Sequence, residues 1–347
     1  KKDFSLEEVK ELEADSSELK QKKNFLIQVM SNVGDDLSEA EKQLQRGVDY
    51  FSGRANYNFN LDLNATADRR NDPDDFDDIE NYGNNDVDGP DPKEDVVKHG
   101  THVSGIIGAE RNNDIGVNGV ASNVKIMPIR AVPDGDEYDK DIAYAIRYAV
   151  DNGAKVINTS FGKYYSTHPD WVIEAIQYAA KNDVLVVNAS GNEGIDLDKE
   201  RVYPNDQTPD DATEVADNFI NVGAISPQIG ENLVASFSNY GKANVDVFAP
   251  GASIYSTVPN DEYQFLQGTS MAAPAVAGIA AMVRSYYPKL TATQVKQVIM
   301  QSGISYENEV ILGGDPANKE PLPKVSVTGK FANLYNSLIA AHKMSNK

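Results

Sequence analysis

The stretch Gly268-Thr269-Ser270-Met271-Ala272-Ala273-Pro274 runs straight into Ala275-Val276-Ala277-Gly278-Ile279-Ala280-Ala281-Met282-Val283. The second part reads as a helix with small apolar side chains on every side, and such a helix belongs in the middle of a domain. Pro274 is expected in its first turn, where a missing N–H costs little. Ser270 then stands at a helix mouth, among N–H groups without intrahelical partners and at the positive end of the dipole. That setting suits a developing oxyanion. From this stretch alone an ordinary N-cap serine is an equally good reading. The 347 residues allow one large domain with an extension, or two domains.

The remainder of the chain predicts what surrounds that helix. Residues 5–51 read as helical, with Leu6, Val9, Leu12, Leu19, Leu26, Val29 and Met30 at roughly helical spacing and a second helix running from Asp35-Asp36 to Gln43 or Leu44. Tyr57, Phe59, Leu61 and Leu63 alternate with polar residues, as in a short strand. Residues 68–95 are rich in Asp, Glu, Asn, Pro and Gly and read as a solvated loop. From Val96 onwards helices alternate with β-branched runs: helix 101–109, strand 124–132, a helix carrying Ile142, Ala145, Ile146, Ala149 and Val150, strand 155–161, helix 169–181 and a buried strand at Val184-Leu185-Val186-Val187. Strands near 219–225 and 245–249 and helices 270–287 and 291–302 follow. Residues 303–328 read as an irregular excursion before a last helix, 331–343. This alternation predicts an α/β fold, a doubly wound, mostly parallel sheet with helices on both faces and a helical N-terminal insertion. The expected parts are a helical appendage 1–56, an acidic loop region 57–98 and a main domain 99–347. Ligands of such sheets bind at the carboxyl ends of the strands.

Two further stretches belong with Ser270. His99-Gly100-Thr101-His102-Val103-Ser104-Gly105 opens a small-residue helix, where a histidine is biased towards the neutral form that a general base needs. A helix cap, or a metal pair formed by His99 and His102, are the other readings of those residues. Ala189-Ser190-Gly191-Asn192-Glu193-Gly194 follows the buried strand; its glycines allow a tight turn, and Asn192 can present an amide N–H₂ to a ligand. Taken alone it is simply a loop between strand and helix.

Together the three stretches resemble the histidine, oxyanion-asparagine and serine boxes of the subtilisin-like serine proteases, in that family's order. The likeness extends over residues 83–343 and includes Val156-Ile157-Asn158-Thr159-Ser160-Phe161-Gly162, Ala235-Ser236-Phe237-Ser238-Asn239-Tyr240-Gly241 and Val247-Phe248-Ala249-Pro250-Gly251. The resemblance implies a serine endopeptidase acting on polypeptides, with Ser270 as nucleophile, His99 as base and Asn192 with the Ser270 N–H as oxyanion donors. His102 matches a structural histidine, which sets the metal reading aside. Ser160, Phe161 and Gly162, with Ala189, Ser190 and Gly191, would receive the substrate. Glu193, Asp196, Asp198 and Glu200, just past the asparagine, are candidates for favouring basic substrate side chains.

One part of the pattern is missing. The family carries a catalytic aspartate at the end of a buried strand before the histidine, and residues 1–98 contain no such box. The expectation is therefore an N-terminal segment, joined to Lys1 or held as a separate chain, that brings the aspartate. The rival reading is a catalytically impaired pseudoprotease, or a calcium-stabilised binding module. Asn112-Asn113-Asp114-Ile115-Gly116-Val117 resembles the family's calcium loop, with Asn113 and the carbonyls of Arg111, Ile115 and Val117 as ligands. Asp86-Val87-Asp88-Gly89-Pro90-Asp91 only superficially resembles another. The net charge of −21, from 53 acidic against 32 basic residues, suits cations and argues against nucleic acid or an anionic membrane as partner. No run reaches transmembrane length, and without cysteine there is no disulfide or thiolate chemistry. A secreted or cell-envelope location is implied by the family resemblance alone.

Overall fold

The computed structural model describes residues 5–33, 45, 48, 52, 79, 83, 87, 97–132, 137–208 and 213–346. The chain divides into two compact units, Lys1–Asp68 with Asp134–Asp136, and Arg69–Pro133 with Glu137–Lys347. In the first unit α1 (Leu6–Glu11) starts at a capping box: the Ser5 hydroxyl accepts from the Glu8 N–H, and the Glu8 carboxylate accepts from the Ser5 N–H. It packs through Val9 against Met30 of α2 (Ser17–Val33), with Leu6, Leu26 and Ile27 around them. The expected helical region is broken at residues 12–16, where Leu12 turns extended and Lys23 Nζ is bonded to the carbonyls of Lys10 and Leu12. The expected helix to Gln43, the strand at 57–63 and nearly all of the acidic stretch lie outside the described residues.

In the second unit α3 (Lys98–Gly108) and α4 (Asp139–Asp151) precede β1 (Val156–Thr159), α5 (Pro169–Lys181), β2 (Leu185–Ala189), β3 (Phe219–Ile225) and β4 (Val247–Pro250). A hairpin of β5 (Ile254–Val258) and β6 (Glu262–Leu266) leads into α6 (Thr269–Tyr286), then α7 (Ala292–Ser302). β7 (Ile304–Ser305), a second hairpin of β8 (Glu309–Leu312) and β9 (Asp315–Pro321), β10 (Lys330–Phe331) and α8 (Leu334–Ser345) complete the order. The main sheet runs β1-β2-β3-β4-β10-β7 and is parallel except at β7.

The period of two along each strand explains the double winding. Leu185, Val187 and Ala189 of β2 face the cluster containing Ala272, Val276 and Val283 of α6, whereas Val186 faces Ile146 of α4 and Ile176 of α5. Ile220 and Val222 of β3 join the first cluster and Phe219 joins the second. Both faces are thus covered, and each fully buried aliphatic or Phe side chain contributes about 1.5–3 kcal/mol. α6 is the all-round buried helix that its composition requires. Arg284 near its end reaches Asp183 at 2.5 Å, and Asp183 also accepts from Ala292 N at 2.6 Å, so the bend into α7 is tied to the start of β2.

Residues 124–132 differ from expectation. They form no strand; Ile126 and Met127 are 41% and 40% exposed, and no described residue offers them a ladder. At the sheet's end β1 pairs with β2 alone among the described residues, and Val156, Ile157 and Asn158 are only half-buried. Residues 303–328 are more regular than expected: β8 and β9 pair antiparallel around Gly313-Gly314, both at positive φ, and Val310 and Leu312 are buried.

An acidic cluster lies where β4 begins. Asp246 accepts from Asn221 N at 2.8 Å, and Lys296 Nζ is 3.9 Å from its Oδ1 and 3.8 Å from Glu214 Oε2. Asp206 belongs to the same group. Burial, helped by Glu214 and Asp246 and opposed by Lys296, pushes its pKa up to about 7. Its ordinary value is 3.8, so between that value and about 7 the folded state keeps a proton that the unfolded chain has lost, and stability falls as pH rises through that window. Asp206→Asn is expected to raise the unfolding midpoint clearly at pH 8 and much less at pH 4. Equal shifts at the two pH values would show that the carboxyl is not strained when ionised.

Candidate active site

The mouth of α6 is assembled around Thr269, which is fully buried. Its N–H and hydroxyl both donate to Asn192 Oδ1, at 2.8 and 3.0 Å, and its hydroxyl oxygen accepts from Gly191 N at 3.1 Å. With Oδ1 engaged in this way, the N–H₂ end of Asn192 is left for a ligand. Asn239 holds the same loop from behind: its Nδ2 donates to Ser190 O at 2.9 Å, and its Oδ1 accepts from the N–H groups of Glu193 and Ile195, each at 3.1 Å. Gly191 has φ +103°, and a Cβ there would sit 2.3 Å from Asn239 Nδ2, so only glycine fits. A Cβ on Gly268 would lie 3.5 Å from Asn192 Oδ1 and 3.6 Å from both Asn192 Nδ2 and Ser270 N, so the Asn192 amide and the Ser270 N–H both border this glycine.

Pro274 lies in the second turn of α6 rather than the first. It supplies no N–H for the carbonyl four residues earlier, which is that of Ser270. The Ser160 hydroxyl takes the place of that donor, at 2.8 Å, and is itself held by Asn158 Nδ2 at 2.9 Å. In return Ser270 Oγ donates to the Ser160 carbonyl at 3.2 Å. The helix defect created by Pro274 thus docks the serine onto the end of β1.

His99 lies in the first turn of α3. Desolvation by the surrounding protein and the neighbouring His102 hold its pKa below the usual histidine value, although the residue is exposed at the surface. Among the described residues it makes no hydrogen bond, and the Ser270 hydroxyl is turned to Ser160. His102, by contrast, is completely buried: its Nε2 reaches the carbonyls of Ile254 and Gln264, at 3.1 and 3.0 Å. Its pKa is also lowered, by burial, with those two hydrogen bonds opposing. The Ser256 and Thr257 hydroxyls donate to the carbonyls of His102 and Thr101, and a Cβ on Gly105 would be 2.2 Å from Thr257 Oγ1. The helix bearing His99 is therefore clasped by the hairpin that leads to Ser270.

Beside Ser270 a small solvent-open pocket is walled by Phe161, Gly162, Tyr164, Ala189, Gly191 and Val202. Phe161, Gly162, Ala189 and Gly191 line it, whereas Ser160 and Ser190 are buried, their hydroxyls donating to Ser270 O and Asn239 O. Of the four acids, only Glu193 lines the pocket, its Oε2 accepting from Asn192 N at 2.8 Å. Asp196 pairs with Lys199, Asp198 clamps the N–H groups of Ala243 and Asn244, and Glu200 is on the surface. Thr269 and Asn239 were missed as site builders, although both lie inside quoted motifs. Their signal was the mere adjacency of Thr269 to Ser270 and of Asn239 to a glycine-rich turn.

The loop 111–117 carries positive φ at Asn112, Asp114 and Gly116. Asn113 Oδ1 accepts from Ile115 N at 3.2 Å, and Arg111 donates to Gly119 O. The proposed ligands are thus neutral oxygens only, and the described residues hold no group of three acids or histidines fit for a metal. This donor set by itself does not fit a calcium ion.

The profile of the Subtilase family matches residues 44–324, most of the chain. The chain belongs to the subtilase family. Among subtilases it is 42% identical over 192 residues to a thermophilic serine proteinase of Bacillus sp. (strain AK1), covering 55% of this chain and 43% of that protein. It is 36% identical over 218 residues to a cell wall-associated protease of Bacillus subtilis (strain 168), covering 62% of this chain and 22% of the other. The chain thus spans less than half the length of either relative. A solved protease structure from Pseudoalteromonas arctica PAMC 21717 superposes with a TM-score of 0.56 at 29% identity, over 70% of each chain. The doubly wound sheet is the subtilase fold.

Proposed function

We propose that the chain is part of a serine endopeptidase that hydrolyses polypeptides through an acyl-enzyme. Ser270 Oγ attacks the scissile carbonyl while His99 takes its proton. The tetrahedral oxyanion is held by Asn192 Nδ2 and the Ser270 N–H, and His99 then protonates the leaving amine. Water repeats the sequence to release the acid. The observation that carries this reading is that the Asn192 amide and the Ser270 N–H both border Gly268 at the mouth of α6. A fluorophosphonate probe tests it: the native full-length protein is expected to be labelled at Ser270, and unlabelled Ser270 in folded protein would sink the reading. The pseudoprotease alternative is favoured by one observation, the absence of a hydrogen bond between His99 and Ser270 among the described residues. Apo geometry of this kind tightens on substrate binding in many hydrolases.

The catalytic carboxylate is assigned to a strand supplied by a segment outside residues 1–347, which pairs with β1 and with residues 124–132. Both lack a second partner among the described residues. A secreted or cell-envelope location is proposed from the family and from the named cell-wall relative; no helix among the described residues is long and apolar enough to cross a membrane. Calcium at Arg111, Asn113, Ile115 and Val117 is proposed only in company with a carboxylate from that same outside segment. Chelation is then expected to lower the unfolding midpoint of the full-length protein and to leave that of residues 1–347 alone unchanged. A chelator effect on the short chain would contradict this.

A further inference from the structure

The edge that leads from β1 past the nucleophile is already occupied. The Ser160 carbonyl lies 3.2 Å from Ser270 Oγ, so a peptide attacked there aligns with Ser160. A peptide laid antiparallel on Ser160-Phe161-Gly162 pairs at alternate residues. Two residues towards the substrate's N-terminus it therefore meets Gly162, whose N–H it needs. In the structure that N–H donates to Glu137 Oε1 at 3.2 Å.

Glu137 is held there by a buried anchor. Lys163 Nζ donates to the Glu137 carbonyl at 2.7 Å and pairs with Asp139 Oδ1 at 2.8 Å. Asp139 is itself buried and accepts from Ser166 Oγ, Thr167 N and His168 N. Burial alone would raise its pKa; the bonds from Lys163, His168 and Ser166 outweigh that and hold it low, so the pair stays ionised. The Lys163 charge is matched within this anchor, and the backbone of Glu137 is fixed while its carboxylate lies across the substrate edge.

We propose that Glu137 determines specificity: its carboxylate covers the Gly162 N–H at rest, is displaced by the substrate backbone, and then selects a cationic side chain on the N-terminal side of the scissile bond. This rests on the reading of the site as a peptidase. The ion pair formed is solvent-accessible, so its worth is about fivefold in affinity rather than a hundredfold.

The test measures binding, not turnover. In full-length protein carrying Ser270→Ala, dissociation constants are taken for neutral peptides with lysine or norleucine at the second, third or fourth residue before the scissile bond. Lysine is expected to bind about fivefold tighter at one of these positions, less so in 0.5 M salt, and no tighter in Glu137→Gln. Glu137→Ala is expected to tighten the norleucine peptides about twofold, because the Gly162 N–H is uncovered. Equal binding of lysine and norleucine peptides, or a lysine preference that survives Glu137→Gln, overturns the proposal. Wild-type protein that binds with this selectivity but never cleaves overturns the peptidase reading alone, and an active protease with flat binding overturns only the role of Glu137.

Discussion

Ser270→Ala is expected to abolish peptide hydrolysis by the full-length protein, on the order of a millionfold in kcat, as for serine-nucleophile hydrolases as a class. The fold should survive. The change removes one oxygen, and what that oxygen holds in the structure is a single bond to the Ser160 carbonyl, worth about 1 kcal/mol. The reciprocal bond from Ser160 Oγ to the Ser270 carbonyl does not involve the side chain and remains. Comparing active-site titration with thermal unfolding of the same preparation checks both halves. Retained hydrolysis would falsify the assignment of Ser270, and collapse of the fold would mean that the serine is structural.

The second large effect concerns the open edge of the sheet. β1 has β2 on one side and no described partner on the other, and the apolar run 124–132 lies unpaired with Ile126 and Met127 exposed. One strand added between them would satisfy both. It would cover the half-buried Val156 and Ile157, and each backbone group that is otherwise buried without a partner would be relieved of about 1–3 kcal/mol. If that strand also brings the carboxylate that orients His99, its loss should lower kcat by on the order of ten-thousandfold. Residues 1–347 alone are therefore expected to be nearly inactive and of reduced stability. Supplying such a strand in trans should restore both activity and the protection of residues 124–132 against hydrogen exchange. Full activity of the bare chain would refute the argument.

The boxes around His99, Asn192 and Ser270 were legible because each is local: a glycine turn, a helix start and a small-residue helix leave their marks within a few neighbours. Residues 124–132 were legible as a strand by composition and yet form none. A strand is made by its partner, and Val124 to Val132 cannot supply one themselves. The β8–β9 hairpin was missed for the opposite reason. Asp315 to Pro321 is a poor strand sequence, but Gly313-Gly314 and the buried Val310 and Leu312 fix it in place. Pro274 was placed one turn too early, because the sequence indicates a missing donor but not which hydroxyl will replace it. The role of Glu137 had no sequence signal at all, since it depends on a bond across 25 positions.

His102 has a consequence for how the active site tolerates change. Its ring bonds to one carbonyl from each strand of the β5–β6 hairpin, so the helix bearing His99 and the approach to Ser270 share one hinge pin. The hairpin's far end, Asn260 and Asp261, turns at positive φ in both residues. New loops at the tip, over many generations or at an engineer's choice, are expected to leave His99 and Ser270 where they stand. Variation at the pin itself has no such freedom, since a change there shifts the helix of His99 and the approach to Ser270 together.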